Sequence, residues 1–200
     1  MKQPTPAGHP RTGAVSDLEP VDAGSLYRAH APFVARFLSR MGVAAQDLED
    51  LVQEVFLVAH RRGGFIPGPA GPTTWLAEIA LRVASQKRRA TRRRPEDPDP
   101  AALAHVPARE RSPADSLHSA ERLARVQKLL DSLDLDHRAV FVLFEIEGQD
   151  CAAIAAGLGV PIGTVHSRLH EARRKFEKAH ARLAAREERA PRPVPEVKGA

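Results

Sequence analysis

Cysteine is nearly missing from this 200-residue chain, in which Cys151 is the sole thiol. One thiol excludes an intramolecular disulfide framework and a cysteine-based zinc cluster, and it fits a reducing compartment. Cys151 itself reads as a small residue, buried or next to a helix cap. Long apolar runs are missing too. No stretch approaches the roughly eighteen consecutive apolar residues of a membrane span, and the opening MKQPTPAGHPRTGAVSDLEP lacks the apolar centre of a signal peptide. The expectation is a soluble, cytoplasmic protein without membrane insertion. Glycine-rich phosphate loops, GxGxxG turns and GxSxG elbows are also absent, which removes the usual sequence addresses for nucleotide hydrolysis, dinucleotide cofactors and hydrolase nucleophiles. No enzymatic activity, cofactor or metal is expected, and there is no internal repeat.

What is present is an apolar content of 42%, enough for real cores, and an excess of 30 Lys and Arg over 25 Asp and Glu. The resulting net charge of +5 suits an anionic partner. Residues 1–22 are rich in Pro, Gly, Thr and Ala without periodicity and read as a disordered arm. Residues 23–94 read as a first helical domain. In it Leu26, Ala29, Phe33, Phe37 and Leu38 mark one amphipathic helix, ending near Met41-Gly42. Leu48, Leu51, Val52, Val55, Phe56 and Ala59 mark a second, with a cap region at Ala45 to Asp47 and a stop at Gly63-Gly64. Thr73 or Thr74 would cap a third, whose apolar face is Trp75, Leu76, Ile79, Ala80 and Val83. Prolines 95, 98, 100, 107 and 113 give residues 95–115 the composition of a flexible linker. A second helical domain follows over residues 116–183, then a disordered tail over 184–200. The fold class expected is all-α, as two small helical domains joined by that linker.

The second domain carries the most specific pattern. Over Asp150 to Phe176, Ile154, Ala155 and Leu158 fall on one helical face, Gly159-Val160-Pro161 breaks it, and Val165, Leu169, Ala172 and Phe176 resume the stripe. This is the signature of a helix-turn-helix, with Leu129, Leu133, Val140, Phe141 and Phe144 as its apolar platform. The stripe leaves Thr164, His166, Ser167, Arg168, Arg173 and Arg174 free to face a major groove and its phosphates. His166 and His170 have zinc-compatible spacing, but without a third ligand nearby they point to DNA or solvent.

In the first domain, Asp47, Asp50 and Glu54 recur at i, i+3 and i+7 with Gln53 beside them, opposite the apolar residues. Taken alone, that stripe is the solvated side of an amphipathic helix. The Trp75 helix runs into Lys87, Arg88, Arg89 and Arg92 to Arg94, behind a loop that contains Phe65. Rings beside cations suit single-stranded DNA, where bases stack and cations follow phosphates, although Trp75 at helical spacing also fits a core position.

Three stretches, in this order, resemble bacterial RNA polymerase sigma factors of the extracytoplasmic-function branch, which keep only regions 2 and 4. Asp47-Leu48-Glu49-Asp50-Leu51-Val52-Gln53-Glu54-Val55-Phe56 is similar to the family's DAEDLVQEVF. Thr74-Trp75-Leu76 through Ile79-Ala80 is similar to its TWL..IA. Leu158-Gly159 through Leu169 is similar to LG.P.GTV.SRL. The resemblance implies a transcription initiation factor. Asp47, Asp50, Gln53 and Glu54 would dock on the clamp helices of the largest subunit of core RNA polymerase. Trp75, Arg82, Gln86, Lys87, Arg88 and Arg89 would handle the melted downstream element of promoter DNA, and the helix-turn-helix would read the upstream element as duplex. An anti-sigma factor is a further partner that the family allows. The chain departs from the family where IARN and a following Asp are usual: it has Ile79-Ala80-Leu81-Arg82 and then Gln86, so an altered downstream preference is expected. The competing reading is a stand-alone helix-turn-helix regulator that binds paired half-sites as a dimer.

Overall fold

The computed structural model describes residues 19–93 and 113–189, with the side chains of Arg93 and residues 113–120 excepted. The expected arm up to residue 18, most of the expected linker and the end of the tail lie outside the described residues. Helix α1 (Ala23–Arg40) starts at Asp22, whose carboxylate accepts from the Gly24 and Ser25 N–H groups at 2.9 and 3.0 Å. Pro32 sits inside it and removes one helical hydrogen bond, a cost of about 3 kcal/mol. The helix continues because Leu26, Phe33, Val34, Phe37 and Leu38 are buried, each contributing about 1.5–3 kcal/mol. Ala29, expected on the core face, is exposed.

Helix α2 (Ala45–Arg61) buries Leu51, Val52, Val55, Phe56 and Ala59. Its N-cap position is Ala44 and makes no side-chain cap, so the cap expected at Ala45 to Asp47 does not form. Gly63 and Gly64 stop it at φ +82° and +90°, a conformation that other residues adopt only with strain. The chain then pairs once with the segment before α1, through reciprocal N–H···O bonds between Val21 and Phe65 at 2.8 and 3.0 Å. Helix α3 (Pro72–Arg93) begins one residue before the expected caps. Pro72 suits the first turn, where an N–H would lack a helical partner. Thr74 is inside the helix, fully buried, with its hydroxyl donating to the Gly71 carbonyl at 2.9 Å.

After residue 112, α4 (Pro113–Leu130) leads into α5 (Leu135–Phe141), which Asp134 caps through the His137 N–H at 3.1 Å. A π-helical turn over Val142–Ile146 extends α5 and ends at Gly148, φ +67°. Asp150 caps α6 (Cys151–Leu158) by accepting from the Ala153 N–H at 2.7 Å, which places Cys151 beside the cap. Gly159 closes α6 at φ +65° and α7 (Ile162–Arg189) follows. Helix α7 continues six residues past the boundary expected at 183, and α4 starts inside the stretch expected as linker. Among the described residues there is no strand beyond the Val21–Phe65 bridge.

Two helical units therefore appear, α1 to α3 and α4 to α7, and they lie against each other. Their apolar side chains form a continuous cluster from Leu26, Phe37 and Leu76 to Val140, Ile154 and Leu169. Helix α3 is the shared element: one side packs on α1 and α2, another on α6 and the start of α5. Independence of the two cores, expected from the proline-rich stretch, is not what the structure shows.

Candidate polymerase and promoter interface

On α2 the apolar residues Leu51, Val52, Val55 and Phe56 turn inward, which leaves Asp50, Gln53 and Glu54 exposed along the opposite face. The carboxylates of Asp50 and Glu54 form no ion pair among the described residues. Asp47 differs from its neighbours. Its Oδ1 accepts from Lys87 Nζ of α3 at 2.6 Å, so a residue expected at the polymerase and one expected at DNA neutralise each other across 40 positions of sequence.

On α3, Trp75 is half-buried and its ring lies 5.7 Å from that of Phe65, which is itself buried. The loop aromatic expected to present itself to bases is instead tucked under the Val21 bridge, and Ile66 takes the exposed position beside it. Arg82 is exposed, its guanidinium held by Glu78 one turn earlier, and Glu78 also accepts from Arg62 at 2.7 Å. Gln86, Arg88 and Arg89 are exposed. Arg88, Arg89 and Arg92 line a shallow cleft closed on its far side by Asp134 and Leu135 of the second unit.

The helix-turn-helix places its side chains as the periodicity requires. Val165, Leu169 and Ala172 are buried, and Phe176 stacks on Phe141 with ring centroids 4.7 Å apart. His166, Ser167, His170, Arg173 and Arg174 are exposed, Thr164 and Arg168 half-buried, with the Ser167 hydroxyl donating to the Thr164 carbonyl at 3.0 Å. Periodicity gave no sign that all three arginines are compensated. Arg168 donates to Asp136 at 2.7 Å, Arg173 to Glu145 at 2.6 Å, and Arg174 makes a two-pronged contact with Glu171 at 2.7 and 2.9 Å. The Arg173 guanidinium also stands 5.3 Å from the centre of the Phe144 ring. Hydrogen bonding from Arg174 pulls the Glu171 carboxyl below its ordinary range, and Glu171 in turn raises the Arg174 guanidinium. At Asp134, burial alone would raise the carboxyl. The His137 ring and N–H, together with Lys175 at 3.2 Å, outweigh it and hold Asp134 well below the usual carboxylate range. Of the three arginine pairs of α7, Glu171–Arg174 alone, at i and i+3, has a spacing that announces it in the sequence.

Among the described residues no group of three or more His, Cys, Asp or Glu side chains converges as metal ligands. No helix there is long and apolar enough to cross a membrane.

Comparison with known proteins assigns both units. The family model for Sigma-70 region 2 matches residues 26–94, and that for Sigma-70 region 4 matches residues 123–176. The chain is 32% identical over 151 residues to the ECF RNA polymerase sigma-E factor of Escherichia coli, covering 72% of this chain and 78% of that protein. It belongs to the ECF family of RNA polymerase sigma factors. Another relative, ECF RNA polymerase sigma factor SigE of Mycolicibacterium smegmatis, is 37% identical over 157 residues, 76% of this chain. The match spans 58% of that relative's own length. Among solved structures, CnrH in complex with the cytosolic domain of CnrY aligns with a TM-score of 0.54 at 27% identity, covering 82% of this chain and 88% of that one. The sigma factor RpoE of Bartonella quintana, solved with the anti-sigma factor NepR, aligns with a TM-score of 0.56 at 22% identity over 78% and 94%, a likeness of fold.

As an ECF sigma factor the chain is a promoter-specificity factor for RNA polymerase, a class of non-enzymatic transcription factors. Region 2 corresponds to α1, α2 and α3, and region 4 runs from within α4 into α7, so the match covers the half of the chain that a stand-alone regulator would leave unassigned. That competing reading is set aside.

Proposed function

We propose that this sigma factor docks on core RNA polymerase through the exposed acidic face of α2, and that α3 and α7 divide the promoter between them. The observation that carries the docking assignment is electrostatic. Among the described residues Asp50 and Glu54 form no ion pair, on a face backed by a packed core, whereas Arg168, Arg173 and Arg174 of α7 are each matched by a carboxylate. Uncompensated charge on a rigid face favours encounter with a cationic surface and fixes its orientation. Gln53 adds an amide that can both donate and accept on the same face. The clamp helices of the largest polymerase subunit are the proposed partner surface. Asp47, tied to Lys87, holds the α2 face against α3 at the edge of that surface.

Helix α3 would take the melted downstream strand, with Trp75 offering a ring edge and Arg82, Gln86, Lys87, Arg88 and Arg89 following phosphates and bases. Helix α7 would enter the major groove of the upstream element, with Thr164, His166, Ser167 and Arg168 nearest the bases and Arg173 and Arg174 at the phosphates. The chain needs no catalytic residue for this work and would act in the cytoplasm. An anti-sigma protein is a further proposed partner, since the similar CnrH and RpoE chains were solved as complexes, the latter with an anti-sigma factor.

The test is a double variant, Asp50→Ala with Glu54→Ala. Both residues are exposed, so stability should change by no more than about 0.5 kcal/mol per site. Capture of core polymerase by the tagged variant should fall well below wild type. Capture at wild-type strength would refute the docking face.

A further inference from the structure

Helix α7 outruns the family it belongs to. The match to Sigma-70 region 4 ends at residue 176, yet the helix continues to Arg189, about 20 Å further at about 1.5 Å per residue. Helix α4 holds this extension in place: Leu183 is half-buried, and Glu187 pairs with Arg125 of α4 at 2.7 Å. The extension carries Lys178, Arg182 and Arg186 at successive i+4 positions, all exposed, with exposed Arg189 three residues beyond the last. None of these four cations has an ion pair among the described residues, whereas Arg168, Arg173 and Arg174 are each matched. The other exposed carboxylates of the extension, Glu177 and Glu188, lie about 100° or more around the helix from Lys178, Arg182 and Arg186. Like charges at i and i+4 repel along a helix, so this ridge is unfavourable until an anion covers it.

The same i+4 row runs back through Arg174 and His170 to His166, so the ridge begins among the side chains assigned to the upstream element. Each step along it advances about 6 Å and about 40° past a full turn, which carries the row from the base-reading face round to the flank of the helix. A helix of 28 residues is about 42 Å long, whereas the major groove is about 12 Å wide and winds around the duplex. The N-terminal residues of such a helix reach the bases, and its C-terminal half leaves the groove past the bordering backbone. The flank that passes the backbone is where the unmatched cations stand.

We propose that Lys178, Arg182 and Arg186, with Arg189 at their end, form a second DNA site that holds duplex phosphates outside the upstream element. The site is indifferent to sequence: it sets how tightly region 4 holds DNA, and the N-terminal turns of α7 set which DNA. The inference rests on the assignment of α7 to the major groove of the upstream element.

Holoenzyme assembled from core polymerase and the full chain tests this on a promoter duplex from which it initiates, and on the same duplex with the upstream element scrambled. The main variant is Lys178→Ala with Arg182→Ala and Arg186→Ala. All three positions are exposed and alanine favours a helix, so its thermal midpoint should equal or exceed that of wild type. Three lost phosphate contacts at about 0.9 each reduce the slope of log K against log salt by about 2.7, so the defect shrinks about 40-fold between about 50 and 200 mM salt. Affinity should fall by the same factor on both duplexes, and hydroxyl-radical protection should disappear beside the element while remaining within it. Arg182→Lys with Arg186→Lys should keep the wild-type slope, and His166→Ala with Ser167→Ala should weaken binding to the intact promoter alone. A triple-alanine variant with the wild-type slope and flank protection would overturn the site. So would weaker capture of core polymerase by that variant without DNA, which would assign the ridge to a protein contact. Wild-type holoenzyme that binds both duplexes alike would instead refute the groove assignment of α7, a result distinct from failure of the ridge, in which wild type discriminates and the triple variant keeps its slope.

Discussion

Replacing Arg173 by alanine separates the structural from the DNA-binding use of one side chain. In the free protein Arg173 pairs with Glu145 at 2.6 Å and stands over Phe144, with side-chain exposures of 47% and 33% for the two charged partners. A pair so open to solvent is worth about 0–1 kcal/mol. The ring contact adds about 0.5–1 kcal/mol at such a site. Arg173→Ala should therefore leave a folded protein, destabilised by no more than about 2 kcal/mol in all. Its effect on the upstream element should be larger and should depend on salt. One lost phosphate contact reduces the slope of log K against log salt by about 0.9, so a fourfold rise from about 50 to 200 mM shrinks the defect about 3.5-fold. The assay is equilibrium binding of the polymerase complex to an upstream-element duplex across that range. Glu145→Gln supplies the converse, since it frees the guanidinium and should tighten binding. An unchanged slope in Arg173→Ala would refute the placement of this residue at phosphate.

Asp150→Ala removes the cap of α6 and should lower stability by about 1 kcal/mol, visible as a lower urea midpoint. Asp134→Asn keeps a cap oxygen but loses the charge. Because the folded Asp134 carboxyl is held below its unfolded value of 3.8, its contribution is present above that pH and lost as pH falls toward the folded value. The stability gap between wild type and Asp134→Asn should accordingly be open at neutral pH and close in acid, and a gap independent of pH would contradict the assignment. Its size should be modest, since the Asp134 side chain is 54% exposed. At the downstream element, Arg82→Asn and Gln86→Asp should change the sequences recovered when that element is randomised and selected for initiation, and identical selections from all three proteins would show that neither residue sets preference.

The helices and the turn were legible because their signals are local. Gly63-Gly64, Gly159 and the stripe Val165, Leu169, Ala172 and Phe176 each act through neighbours in sequence. Asp22 and Asp150 cap their helices in the same local way, although neither was singled out as a cap beforehand. What was not legible is long-range. Phe65 looked available to bases, yet Val21, far behind it in the chain, ties its backbone down and Trp75 covers its ring. Arg168 and Arg173 looked like free cations, yet their partners Asp136 and Glu145 lie 32 and 28 residues away. The joint between the units was hidden by the prolines of residues 95–115, whose composition describes the connection and says nothing of the surfaces it connects. One sign of it was present in Gly157, an isolated glycine at a cost inside a helical pattern, where a Cβ would fall 2.6 Å from the Thr74 Cβ.

The central claim is that the chain gives core polymerase its promoter choice. Initiation by sigma-free core polymerase, supplied with the purified full-length chain and a template library drawn from its own genome, tests that claim directly when the transcript 5′ ends are sequenced. The account predicts transcripts that start at a restricted set of sites sharing one upstream and one downstream element, present with the wild-type chain and lost with Asp50→Ala combined with Glu54→Ala. Initiation that is absent, or indistinguishable from core polymerase alone, would contradict it.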